Sequence, residues 1–414
     1  MPKTKSIDRP LRVLYLGGPG DAPAALRRKA AGDSFDDVAH VPYSLQFFDV
    51  CEELDAQVLS VSTHPRTDEF TFGKARAVNR TSHLAGKHGA RYHLGHLSFA
   101  WEVARDTWNE KADVVVTATE PYPFLLEPLA LRGVKVVPAL HATLLPEFKE
   151  PSRGAKVLTR ASRHLFERSC AAILSHPGPC AKQAYELTRG QPQPIVEFLP
   201  LFRRERFAQV RPPKRNDGPF RVITVGRLEP EKGIYDLIAV AKQLKANGRA
   251  DIFFDVCGAG SALDDARNKV RELGLGHVME LHGWTKMDQL LELWNQSHAA
   301  VVPTTTDFVE GFNQVVIEAL LAGRPVITSR VCPALDYARP SAIEVPENNV
   351  AAYCEAIVRL VDDHALYDRL QGNCARLASL FLEEDRSFAA AVRHVLVALK
   401  DGREVTPVSH PPLT

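Results

Sequence analysis

The chain has no apolar stretch near the ~20 residues needed to cross a bilayer as a helix. Its N-terminal run, Val13 to Leu16, falls far short of a secretory-leader core. A cytoplasmic protein is expected, with any membrane contact peripheral and at the inner face. Paired cysteine spacing is also missing. Cys51, Cys170, Cys180, Cys257, Cys332, Cys354 and Cys374 are scattered, odd in number and never Cys-x-x-Cys. That excludes a zinc or disulfide framework and reads as reduced thiols used as small core residues. Bulk charge is absent: Lys+Arg 51 against Asp+Glu 50 leaves +1, so no electrostatic case for nucleic-acid binding arises. There is no internal repeat of solenoid length. No Asp-x-Asp accompanies the motifs below, so no metal and no cofactor are expected.

What the chain does have is length and rhythm. Its 414 residues exceed one ordinary core and suit two domains, and 45% hydrophobic with 24% charged content is that of a globular enzyme. Apolar strands alternate with helical patterns, the mark of parallel α/β sheets covered on both faces. In the first half strands are expected at residues 12–16, 57–62, 113–117, 134–140, 171–175 and 195–199. Residues 65–97, rich in His, Arg and Gly, break the rhythm and read as an insertion or irregular loop. Pro212, Pro213, Asn216, Asp217, Gly218 and Pro219 cluster between two regular halves, so residues 203–219 read as a linker. Strands restart at 220–225, 252–257, 278–281, 299–303, 325–328 and 343–345. Helices at 350–361, 365–381 and 386–399 follow, and the tail from Thr406 reads as frayed. The expected domains are 1–202, 220–384, and a C-terminal helix at 385–414 returning to the first domain.

Two segments carry the chemistry. The first, VGRLEPEKGIYDLI, puts Arg227, Glu229, Glu231, Lys232 and Gly233 on a turn between a strand and an amphipathic helix. About eighty residues later, TDFVEGFNQVVIEALLAGRPVITS carries Glu310 and Glu318 with a helix beginning after Gly311. Two cations on a strand-to-helix turn beside a helix N-terminus suit a diphosphate, and two carboxylates suit sugar hydroxyls. The backbone N–H groups of Phe312, Asn313 and Gln314 point over that helix end. The plain alternative is a set of solvated loop cations and helix acids. Against it, Glu318 falls among the apolar residues of VVIEALLAG, where a carboxylate needs a hydrogen-bonding partner. The pattern reads as a nucleotide-sugar site.

Weaker signals surround these. CGAGSAL, with Gly258 and Gly260, nearly matches a dinucleotide fingerprint, but Leu263 replaces the third glycine and the strand is the second of its half. A tight turn lining the nucleotide site fits better than NAD. Gly17, Gly18 and Gly20 end the first strand and permit close backbone approach, or serve a structural turn. His141, at the end of VKVVPAL, is a catalytic candidate or a satisfied structural histidine. Over residues 153–166 a helical spacing gathers Arg153, Lys156, Arg160 and Arg163 on one side. That side is an ordinary solvated face or a surface for anionic lipid or a lipid-diphosphate acceptor.

Residues 222–328, through VGRLEPEKG, DVCGAG, LHGW and VVPTTTDFVEGFNQVVIEALLAGRPVI, resemble the retaining glycosyltransferases of family 4, the group 1 glycosyltransferases with the GT-B fold. In the first half the likeness thins to ILSHPGPCAKQAYEL and ALHAT. The resemblance implies two Rossmann-like domains facing a cleft. It also implies Arg227 and Lys232 on the donor diphosphate, Glu310 on sugar hydroxyls, Glu318 on the ribose, and retention without a metal. The chain departs from the family at FLPLFRRERF, where Gly-Val-Asp is usual, and at Ala142, where an Asp often follows the histidine. Transfer from a nucleotide-diphosphate sugar to a glycan or lipid-linked acceptor, as in cell-surface polysaccharide synthesis, is the expectation. A catalytically silent module of the same fold that binds nucleotide-sugar or a partner protein is the alternative.

Overall fold

The computed structural model describes residues 6–413 except 34, 36, 119, 212 and 214–217. It divides into two compact units. The first holds the chain up to Phe35, Val41–Leu201 and Glu384–Pro411, and the second is chiefly Phe202–Glu383.

In the first unit the strands are β1 (Arg12–Pro19), β2 (Gln57–Thr63), β3 (Asp68–Phe72), β4 (Ala75–Arg80), β5 (Val114–Thr117), β6 (Lys135–Leu140), β7 (Ile173–Ser175) and β8 (Ile195–Glu197). They form one sheet in the order β3-β4-β2-β1-β5-β6-β7-β8. Every pairing is parallel except β3 with β4. Because successive side chains point to opposite faces, Val13, Tyr15, Val114, Val116 and Val137 join one core while Leu14, Leu16, Val115 and Val136 join another. The first core is closed by the Tyr43–Glu53 helix and by the C-terminal helix Phe388–Lys400, whose Phe388, Val392, Val395 and Leu396 are fully buried in it. Ser387 and Val408, flanking that helix, bridge to Leu199 and Val196.

Residues 65–97 are not the irregular loop expected: they contain the β3–β4 hairpin and the start of the Ala90–Asn109 helix. β3 is an exposed edge strand, so it lacks the apolar alternation that marks buried ones. The helix expected over 153–166 is also shorter. It ends at Ala161, and a π turn follows at Leu165–Ser169, so Arg163 lies beyond the helix that carries Arg153, Lys156 and Arg160.

The second unit contains β9 (Phe220–Val225), β10 (Ile252–Cys257), β11 (Met279–Gly283), β12 (Ala299–Val302), β13 (Val326–Thr328) and β14 (Ala342–Glu344). All are parallel, in the order β11-β10-β9-β12-β13-β14. This is the doubly wound 3-2-1-4-5-6 order. Val222, Phe254, Val256, Val301 and Ile327 pack against the Ile234–Ala246 and Val350–Asp362 helices. Of the expected linker, Arg204–Phe207 form a 3-10 turn in this unit, and Pro212, Asn216 and Asp217 lie outside the described residues.

Candidate functional site

In a sheet of this order the connections leaving the first and fourth strands run in opposite directions, and a crevice opens at their C-terminal ends. In the second unit those strands are β9 and β12. A cavity of about 280 Å³ lies there, and its walls include Arg227, Lys232, Glu310, Phe312, Asn313, Gln314 and Glu318.

Local geometry explains the convergence. After β9 the chain makes a 3-10 turn, Pro230–Lys232, and enters the Ile234–Ala246 helix through Gly233 at φ 82. A Cβ there would stand 1.9 Å from the Pro303 carbonyl oxygen, so only glycine allows the turn to press against the end of β12. Thr305 fastens the same contact, its N–H and its hydroxyl each donating to the Glu231 carbonyl at 3.0 Å. Lys232 is thereby held opposite Glu310.

The Lys232 ammonium donates to Glu310 Oε2 at 2.6 Å, and the Asn313 amide donates to the same oxygen at 2.7 Å. Lys232 also lies 3.7 Å from the centroid of the Phe308 ring, with the Arg227 guanidinium 5.7 Å from it. Arg227 is exposed and has no ion-pair partner among the described residues. The Gln314–Leu321 helix has Asn313 at its N-cap with no side-chain hydrogen bond closing it.

Two polar atoms on this wall are buried without a partner: Asn313 Oδ1 and Glu318 Oε2. A buried acceptor left unpaired costs about 1–3 kcal/mol. Burial pushes the Glu318 carboxyl up to about 7, since the charged form lacks the solvation it would have in water.

The remaining sequence candidates lie elsewhere. Gly311 is buried beside Phe312. Gly258 and Gly260 do not line the cavity. They let the β10 loop pack behind the β9 loop, a Cβ on Gly258 falling 1.7 Å from the Gly226 carbonyl oxygen. Gly18, at φ 72, and His141 belong to the first unit. His141 sits among rings, 4.7 Å from Tyr43 and 5.2 Å from Phe198 between centroids, and burial pulls it down to about 4. It is a neutral imidazole at pH 7. Thr224, Pro303 and Thr304 line the cavity without having been expected. Their only sequence signal was a place at the C-terminal ends of β9 and β12.

Residues 205–376 match the family model of the glycosyl transferases, group 1. A curated relative, the glycogen synthase of Mycobacterium tuberculosis, is 29% identical over 201 residues, 47% of this chain. The chain thus spans less than half of that relative's length, 46%. Among solved structures, the sucrose-phosphate synthase of Thermosynechococcus elongatus superposes with a TM-score of 0.67 at 16% identity, over 94% of this chain and 99% of its own. The E. coli trehalose-6-phosphate structure bound with UDP-2-fluoro glucose gives 0.70 at 12% identity, over the same shares. At such identities the likeness establishes the fold, which is GT-B. The residues that line the cavity thus fall within the stretch that matches the group 1 glycosyl transferases, in a chain of GT-B fold.

Proposed function

We propose that the protein is a glycosyltransferase that moves a sugar from a nucleotide-diphosphate sugar to a glycan or lipid-linked acceptor, with retention of configuration and without a metal. The observation that carries this reading is the pairing, within one cavity, of unpartnered buried oxygens on Glu318 and Asn313 with the Lys232–Glu310 contact. Hydroxyl groups of a sugar or ribose would donate to those oxygens. A phosphate would replace Glu310 as the partner of Lys232.

The transition state of such a transfer places negative charge on the departing diphosphate. Lys232, the exposed Arg227 and the uncapped N-terminus of the Gln314–Leu321 helix are the groups that would stabilise it. Glu310, freed from Lys232, would accept from the sugar, as the family resemblance implies, and Glu318 would take the ribose. His141, neutral and at the end of β6 in the first unit, stays a proposal as a catalytic residue. The neighbour solved with UDP-2-fluoro glucose supports a nucleotide-sugar donor for the fold.

Action on cell-surface polysaccharide at the inner face of the membrane is proposed on the strength of the Arg153–Ala161 helix. That helix buries none of its residues and carries Arg153, Lys156 and Arg160. No helix among the described residues is long and apolar enough to cross a bilayer. The test of the reading as a whole is a thermal-shift screen of UDP-, GDP- and ADP-sugars. A ligand at 100 times its Kd stabilises by about 2.7 kcal/mol, and a protein unmoved by every nucleotide-sugar would not be this enzyme.

A further inference from the structure

The first unit has two adjoining cavities that the donor site does not use. One, of about 440 Å³, lies at the C-terminal ends of β5 and β6, with Tyr92, His96, Glu120 and Tyr122 on its walls. The other, of about 910 Å³, is lined by Lys156, Arg160, Arg163, Lys182 and Arg189, with Glu147 and Glu186 as its acids. Leu144, Leu145, Pro146 and Thr159 line both, so the two share a wall. Gln183 fixes that wall by bonding to Leu145 twice, its amide donating to the carbonyl and its carbonyl accepting from the N–H, each at 2.9 Å.

His96 is the informative residue. It is 4% exposed. Its Nδ1 accepts the Tyr122 N–H at 3.2 Å, and its ring stacks on Tyr122 at 3.6 Å between centroids. With Nδ1 accepting, the neutral ring carries its proton on Nε2, and that atom is buried with no hydrogen-bond partner. A buried donor of this kind needs an acceptor oxygen. Glu120, half-buried on the same wall, has no ion-pair partner among the described residues and can accept from a hydroxyl. Flat rings with one donor and one acceptor are what a sugar ring requires.

The neighbouring cavity has the opposite character. Lys156 is held by Glu150 and Arg163 by Glu167, while Arg160 and Arg189 are exposed and have no ion-pair partner among the described residues. Guanidinium groups bind phosphate oxygens in pairs.

We propose that the two cavities form one acceptor site for a phosphorylated sugar. The sugar ring lies against His96, Tyr122 and Glu120, and the phosphate or diphosphate lies on Arg160 and Arg189. This rests on the glycosyltransferase reading, and it names the class of acceptor that reading leaves open. The phosphate belongs either to a soluble sugar phosphate or to the diphosphate of a lipid-linked sugar.

The test is calorimetric titration of the full chain with three probes: glucose, glucose 6-phosphate, and a short-prenyl diphosphate N-acetylglucosamine in detergent. Saturable binding of either phosphorylated probe, at least tenfold tighter than glucose, is expected, and the one that binds identifies the source of the phosphate. The exposed double variant Arg160→Ala with Arg189→Ala should weaken that binding at least tenfold while a nucleotide-sugar binds as before. His96→Phe, which keeps a flat ring but removes the donor, should weaken it without abolishing the phosphate preference. A wild type that binds nucleotide-sugars but neither phosphorylated probe overturns this proposal and leaves the donor reading standing. Failure to bind nucleotide-sugars overturns the donor reading instead. Unchanged phosphate preference in the double variant also overturns the assignment.

Discussion

The Lys232 ammonium and the Glu310 carboxylate, 78 residues apart in sequence, lie 2.6 Å from each other on opposite walls of one cavity. In the ligand-free protein each neutralises the other, and Asn313 shares the same carboxylate oxygen. On the proposed reading, a phosphate that took Lys232 would free Glu310 for a sugar hydroxyl, so one exchange would bind both halves of a nucleotide-sugar.

Removing either partner should be felt in transfer more than in folding. Lys232→Ala and Arg227→Ala are each expected to cut kcat/KM at least about tenfold through lost stabilisation of the departing diphosphate. Glu310→Gln, which keeps the shape, should lower kcat at least as much. Circular dichroism and melting of the three variants should match the parent, and wild-type rates in the two cation variants would remove the core of the assignment.

Glu318 makes a pH prediction. Its carboxyl is raised from 4.5 to about 7 by burial, so the folded state holds the proton more tightly than the unfolded chain does. Its contribution to stability is complete below about pH 4.5 and is lost as pH rises through 7, at a cost of about 3 kcal/mol above that. Glu318→Gln should flatten that part of the stability curve in the ligand-free protein. If ribose hydroxyls donate to the ionised carboxylate, nucleotide-sugar affinity should rise about tenfold from pH 6 to pH 8 with proton release. Calorimetry in buffers of different ionisation heat measures both, and a flat affinity profile would separate Glu318 from the ribose.

Transfer is expected to survive EDTA, because the cations proposed for the diphosphate belong to the protein itself. Assays with and without the chelator, followed by Mn²⁺ or Mg²⁺ addition, decide it. An absolute metal requirement would mean that Lys232 and Arg227 are not the principal counter-charge.

Arg324 offers a test of the second unit's stability. It is fully buried, and its guanidinium donates to the carbonyls of Trp294, Ala322 and Arg211. Burial pulls it down to about 10. Arg324→Met fills the space but strands three carbonyl oxygens, and a loss of about 3 kcal/mol is expected once the relief of a buried charge is set against them. Chemical denaturation would measure it, and a neutral substitution would show that water replaces the guanidinium at those carbonyls.

Membrane attachment is testable with anionic vesicles. If the Arg153–Ala161 helix contributes, wild-type protein should co-sediment at low salt and be released by salt. Lys156→Glu with Arg160→Glu should abolish binding while nucleotide-sugar affinity stays the same. Vesicle binding unaltered by the charge reversal would assign these cations to the groove alone.

The second unit was legible because its chemistry sits at strand ends. Arg227, Lys232 and Glu310 follow apolar runs that read as buried parallel strands, Glu318 stands out as an acid among the apolar residues of the helix that comes next, and the 3-2-1-4-5-6 order brings these segments together. Gly258 and Gly260 looked like ligand contacts because glycine permits close approach; what approaches them is the protein's own Gly226 and Leu228 backbone. Residues 65–97 were opaque for two reasons. β3 is an exposed edge without apolar alternation, and the Ala90–Asn109 helix leaves Leu94, Leu97 and Trp101 in solvent, which blurs its 3.6-residue period. His96 gave no sign at all, since its missing partner becomes evident only once Tyr122 occupies its other nitrogen.

The return of Phe388–Lys400 to the first unit reverses the usual order of events during synthesis, in which the N-terminal domain folds first. The second unit's residues 202–383 leave the ribosome as one run, and nothing after them is needed for its core. The first unit, though made earlier, must wait with one of its two cores only partly covered, by the Tyr43–Glu53 helix, until Phe388, Val392, Val395 and Leu396 arrive. A chain stalled before residue 388 would thus pair a folded later half with an earlier half in which Tyr43 and Phe198 lack the Phe388 ring that packs on them, the kind of apolar surface that chaperones hold.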